Sequence, residues 1–205
     1  MSSHTLAPVL AGGLLLASAA PVSAIPITID TASRLGVSAT LSITLVDGDF
    51  AANNQAVVSN LVTDGVLGER TCLLGCADLP PVTLDDAIGL GEFLQSLTLG
   101  TFISFDLAFT QAFEALAGAV SDRILGELLD DGGFALFDTE LDAPSDPVPY
   151  QDALFVVDVA RGAVRGAAGI VTVPEPASLG LVLTGLAAFA ARHRCRAASR
   201  LSFVR

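Results

Sequence analysis

The chain has 205 residues and a formal net charge of −12, with no lysine and no tryptophan. Between Ile25 and Val173 stand 21 acidic residues against five arginines, and the two histidines, His4 and His193, fall outside that stretch. So acidic a body excludes nucleic acid as a partner, because phosphates need cations, and a body without histidine or lysine cannot build a Ser-His-Asp or Cys-His arrangement.

The first 24 residues, MSSHTLAPVLAGGLLLASAAPVSA, carry an apolar core from Leu6 to Ala20 and end on Val22-Ser23-Ala24. Small side chains at the last and third-last positions define a secretory signal peptide cleaved after Ala24, although no Lys or Arg precedes the core. The body, 25–173, then reads as strands. In 41–46 Leu41, Ile43 and Leu45 alternate with Ser42 and Thr44, and in 103–113 Ile103, Phe105, Leu107, Phe109 and Phe113 fall on one side. Period 2 of this kind marks a half-buried strand. The stretches 56–62, 134–138 and 153–159 read as further strands, the last apolar on both faces. Residues 93–97 and 121–131 also fit a helical spacing. Turn-rich surroundings, and Gly126 inside the second, favour strands there too. Asp47-Gly48, Asp64-Gly65, Asp131-Gly132-Gly133 and the Pro-rich 143–149 punctuate these runs as turns. The expected fold is all-β, an antiparallel β-sandwich of jelly-roll type.

The chain ends on VPEPASLGLVLTGLAAFAARHRCRAASRLSFVR (173–205). Pro174 and Pro176 fix two φ angles and keep a helix from starting earlier. The apolar run 177–191 spans roughly 22 Å as a helix at ~1.5 Å per residue, short of a ~30 Å hydrocarbon core unless flanking arginines snorkel. Arg192, Arg194 and Arg196 directly after it would hold that end in the cytoplasm.

Val173-Pro174-Glu175-Pro176, a short membrane segment and an Arg-rich end closely resemble the PEP-CTERM sorting signal, over residues 174–205. The same tail is also described as an ice-binding protein C-terminal domain. The resemblance implies a Gram-negative, polysaccharide-producing host and export through the Sec translocon. It also implies transient anchoring in the inner membrane and handling near Pro174–Pro176 by an exosortase, which releases or re-anchors the body at the cell surface or in the extracellular matrix of a biofilm. Cys195 inside the basic cluster and the long extension 197–205 depart from that pattern. The stretches 43–68, 97–110 and 137–159 resemble a family of PEP-CTERM cargo domains without assigned activity, which implies a sandwich and no chemistry.

Within the body, Asp47, Asp49, Asp130, Asp131, Asp138 and Asp142 are hard oxygen donors in loops, the donor type calcium takes. Asp47, Asp49, Asp130 and Asp131 are the candidate ligands, but the stretch after Asp47 lacks the bidentate Glu of an EF-hand loop. Cys72 and Cys76, four apart, read as a disulfide in an oxidising compartment, with two packed thiols as the alternative. The adjacent pairs Asp85-Asp86 and Asp130-Asp131 read as solvated turns rather than a glycosidase pair, unless the fold joins 47–49 to 138–142 in a cleft. Scattered threonines do not make the flat array that ice binding needs. The leading expectation is an exported, non-enzymatic surface or matrix protein without cofactor. The alternatives are a carbohydrate-binding module that contacts extracellular polysaccharide, with or without calcium, and a carboxylate-dependent polysaccharide hydrolase.

Overall fold

A computed structural model of the chain describes residues 24–77, 80–111, 120–141 and 150–173. These residues form strands β1 (Ile25–Asp30), β2 (Ser38–Val46), β3 (Gln55–Thr63), β4 (Val66–Leu74), β5 (Cys76–Ala77), β6 (Val82–Asp85) and β7 (Leu90–Thr98). They continue as β8 (Phe102–Phe109), β9 (Arg123–Leu129), β10 (Glu140–Leu141), β11 (Tyr150–Gln151), β12 (Phe155–Asp158), β13 (Ala163–Gly166) and β14 (Val171–Thr172). Two six-stranded antiparallel sheets, β14-β1-β8-β3-β6-β5 and β13-β12-β9-β2-β7-β4, make the sandwich, and β10 and β11 pair apart from them. A single turn of 3-10 helix at Ala32–Arg34 joins β1 to β2. Among the described residues no helix is long and apolar enough to cross a membrane, and the run 177–191 lies outside them.

Alternation explains the layers. Ile27 and Ile29 of β1, Leu41, Ile43 and Leu45 of β2, and Ile103, Phe105, Leu107 and Phe109 of β8 are buried between the sheets. Successive side chains of a strand point to opposite faces, so one apolar set fills the interior. Phe105 of the first sheet meets Phe155 of the second with ring centroids 5.8 Å apart. Gly126, in register with Phe155, leaves room for that ring, which a Cβ would strike. The two segments with ambiguous spacing are strands, β7 and β9.

The stretch 134–138 is not a strand, against its reading from sequence. It turns back on β9, touching it by one bridge between Leu129 and Ala135. Asp130 causes the turn: its Oδ1 accepts the backbone N–H groups of Gly132 and Phe134 at 2.8 and 2.9 Å. Phe134 is left 73% exposed. Phe113, Asp142 and the Pro-rich 143–149 lie outside the described residues.

The open sides of the sandwich are closed by strands that cross from one sheet to the other. Gly75 carries the chain from edge strand β4 to edge strand β5, and residues 167–170 carry it from β13 to β14. Ile25 begins β1 toward the lower end of the sandwich, whereas β14 pairs antiparallel with the upper part of β1 only, Val171 opposite Ile29 and Thr172 opposite Thr28. That lower end also collects the loops β2–β3 and β6–β7 and the start of β9.

Candidate functional site

The lower end gathers carboxylates that the sequence keeps far apart. Asp47 and Asp49 follow β2, Asp86 follows β6, Asp122 precedes β9 and Asp158 ends β12. Asp49, Asp86, Asp122 and Asp158 are buried. Burying charge is costly unless donors compensate it, and here loop backbone supplies them. Asp122 Oδ1 accepts the N–H of Gly48 at 2.8 Å and of Asp49 at 3.3 Å. Its Oδ2 accepts the Asn54 amide at 2.6 Å. Asn54 is the hub: its backbone N–H donates to Asp86 Oδ2 at 2.9 Å, and its Oδ1 accepts from the Thr110 hydroxyl at 3.1 Å.

The arginines at this end go to Asp158. Arg123 and Arg161 each place Nη1 3.5 Å from one of its oxygens, and Ser121 Oγ donates to it at 2.7 Å. Asp86 is a different case. Burial pushes its carboxyl up to about 6; the Asn54 N–H acts to lower it, and the neighbouring Asp122 charge adds to the rise.

Asp47, Asp49 and Asp122 each bring one carboxylate oxygen to within 4.8 Å of the others. Calcium binds oxygens at ~2.3–2.6 Å, so oxygens spaced this closely are within the span of one hard cation. Asp130 and Asp131 do not join them. They sit beyond the last residue of β9, at the upper end, where Asp130 holds its own turn. Asp138 also lies away from Asp47 and Asp49, on the segment whose Thr139 bonds Asp152 and Ala153, so the cleft imagined between 47–49 and 138–142 does not form among the described residues.

Asp86, Asp122 and Asn54 escaped the sequence reading as partners. Asp86 looks like the second half of a solvated turn, yet it is buried while Asp85 beside it is half-buried. The one available signal was Asp158 inside the apolar run 153–159, since an acid there must be paired.

Cys72 and Cys76 are disulfide-bonded, with Cα atoms 5.5 Å apart, at the crossing between the sheets. Nearby, Val58, Leu61, Arg70, Pro80, Pro81 and Phe93 line a cleft of about 500 Å³. The Arg70 guanidinium lies 5.7 Å from the Phe93 ring centre there, and Arg70 Nε donates to Gln95 Oε1 at 3.4 Å, so its charge is engaged within the fold. Ala24 is exposed immediately before β1. Val173 is the last described residue; Pro174, Glu175, Pro176, Arg192, Arg194 and Arg196 lie beyond it.

A family model described as the PEP-CTERM protein-sorting motif matches residues 172–194. The chain is in this respect similar to PEP-CTERM proteins, and the motif implies export and membrane-associated processing by an exosortase. No curated protein and no solved structure matches the chain, and the family resemblance of the body has no support from these comparisons.

Proposed function

We propose that the chain is an exported, non-enzymatic surface or matrix protein, anchored by 177–191 and cut by an exosortase at Pro174-Glu175-Pro176. The observation that carries this reading is the sorting-motif match at 172–194, which begins on β14 itself. The motif therefore follows the folded body without a linker, as expected of a tail appended to a finished cargo domain. The absence of histidine and lysine from 25–173 supports a structural or adhesive role. So does the burial of Asp86 and Asp122, at 2% and 1% exposure, which keeps a polysaccharide from reaching this carboxylate pair.

Mass spectrometry of the released protein tests the processing. The mature product should end near the motif in a host with an exosortase, and recovery of an intact RHRCRAASRLSFVR peptide from released protein would overturn it. The non-enzymatic role is tested by a screen against polysaccharides and esters, where turnover lost in a single Asp→Asn variant would replace it by the hydrolase reading. Glycan-array binding that disappears in EDTA would replace it by the carbohydrate-binding reading, with Asp47, Asp49 and Asp122 the first residues to change.

A further inference from the structure

The cleft of about 500 Å³ opens between the two sheets, with β3 and β6 on one wall and β4 and β7 on the other. Its volume falls within the ~300–1,000 Å³ of ordinary ligand sites. On the first wall a strand position is vacant. β6 pairs with β3 only from Gln55 to Val58. Pro81 comes next in β6, and without an N–H it cannot extend the ladder. β3 itself runs on to Thr63, so Ser59–Thr63 has no strand partner on the β6 side among the described residues.

Val58, Ser59, Asn60 and Leu61 border the cleft in unbroken sequence. A straight strand turns only every second side chain to one face, so main chain as well as side chains forms this wall. The bulge between Ser59 and Val62 shapes it. Asn60 sits there at φ +53°, a left-handed conformation that asparagine tolerates, and its amide donates to Asp106 Oδ2 at 2.7 Å. Arg70 reaches the cleft from the other sheet. Its two contacts, the Phe93 ring and Gln95 Oε1, are with neutral groups, which fix the guanidinium without cancelling its charge. The ion pairs among the described residues, Arg123 and Arg161 with Asp158, do not include it.

We propose that the cleft takes an extended peptide segment of a partner protein, which adds a strand beside Ser59–Leu61, lays an aliphatic side chain against Val58 and Val82, and gives a carboxylate to Arg70. Main-chain bonds to an open strand edge supply affinity in such complexes, and the flanking pocket supplies specificity. An arginine held by neutral neighbours keeps its planar fork for a carboxylate. The cleft suits an acidic sugar less well, because Phe93 is 1% exposed and offers no open ring face for stacking. The inference stands apart from the sorting tail and concerns the body alone.

The full chain, held in dodecylmaltoside micelles, is applied to an array of random hexapeptides. The peptides retained should carry a carboxylate next to aliphatic residues. The best of them is then titrated, as its Glu form and its Gln counterpart, against the unaltered protein and against Arg70→Gln. The unaltered protein should bind the Glu form roughly tenfold more tightly, and Arg70→Gln should bind the two forms equally. That equality reports a direct contact, which a merely structural Arg70 would not produce. Leu61→Glu tests the opposite wall, and should weaken the Glu form more than the Gln form. An array that retains nothing overturns the proposal. So does a preference for the Glu form that survives in Arg70→Gln, which would place the contact elsewhere. Retention of acidic oligosaccharide in place of peptide, lost in Arg70→Gln, would overturn it in favour of a sugar site.

Discussion

The two ends of the sandwich use the same residue type in opposite ways. At the upper end Asp64 is exposed and works as a turn former: its Oδ1 takes the N–H of Thr101 at 2.7 Å, and its Oδ2 takes the Thr101 hydroxyl at 2.6 Å. Those donors, the Thr101 hydroxyl first, hold its carboxyl below the ordinary value. At the lower end Asp86 and Asp122 are buried side by side, and burial raises Asp86 instead. A short polar residue in a loop suits a solvated turn. Only the packing of loops from both sheets turns it into part of a buried network.

The largest expected effect is at the lower end. Asp122→Ala removes the acceptor of Gly48, Asp49 and Asn54 together. Urea unfolding should show a loss of about 3 kcal/mol, the scale for stranding buried donors of a charged group. An effect below that of Asp130→Ala at the upper end would mean that the network is wet and the contrast between the ends is false. Second comes the rivet at the sheet crossing. Cys72→Ser opens a loop with a sequence separation of 4. It should cost about 2 kcal/mol in the chain-entropy picture and leave the domain folded by circular dichroism. Alkylation of both thiols without reduction would remove the basis of that number.

Third, Asp130→Ala at the upper end removes an acceptor of two turn N–H groups in a wetter setting, and should cost about 1 kcal/mol. The smallest effect lies on the outer face of the second sheet. Glu127 is raised by burial first and then by the charges of Asp152 and Glu92. A carboxyl raised in the folded state favours folding while protonated and opposes it once ionised. Glu127→Gln should therefore add about 0.5 kcal/mol at neutral pH, discounted for screening. The gain should fade as the pH drops toward the ordinary glutamate value of 4.5. A gain independent of pH would show that packing, not charge, is responsible.

Much of the fold could be read from single strands. Leu41-Ile43-Leu45 and Ile103-Phe105-Leu107-Phe109 announce their buried faces because alternation is a local property. The stretch 134–138 misled because FALF is apolar enough for a strand, yet Asp130 binds the backbone ahead of it and ends β9 in a turn. The acidic cluster was not legible for a related reason. Asn54 Nδ2 and Asp122 are 68 residues apart, and Gly48 and Asp122 are 74 apart. No pattern of local spacing distinguishes an aspartate destined for such a contact from one left in water at a turn.

The crossing of the chain from β13 to β14 has a mechanical consequence. Any load on an anchored or re-anchored body enters through Val173. It is met first by two ladder pairs, Thr172 with Thr28 and Val171 with Ile29, and then by the bonds of Val171 and Ile170 to Ala167. The opposite crossing is bolted by Cys72 and Cys76, while this one has no covalent fastening among the described residues. Under tension the seam next to the tail should part before the rest. Each residue drawn out adds ~3.4 Å of slack, so the protein would yield by lengthening while the twin sheets behind the seam keep their grip.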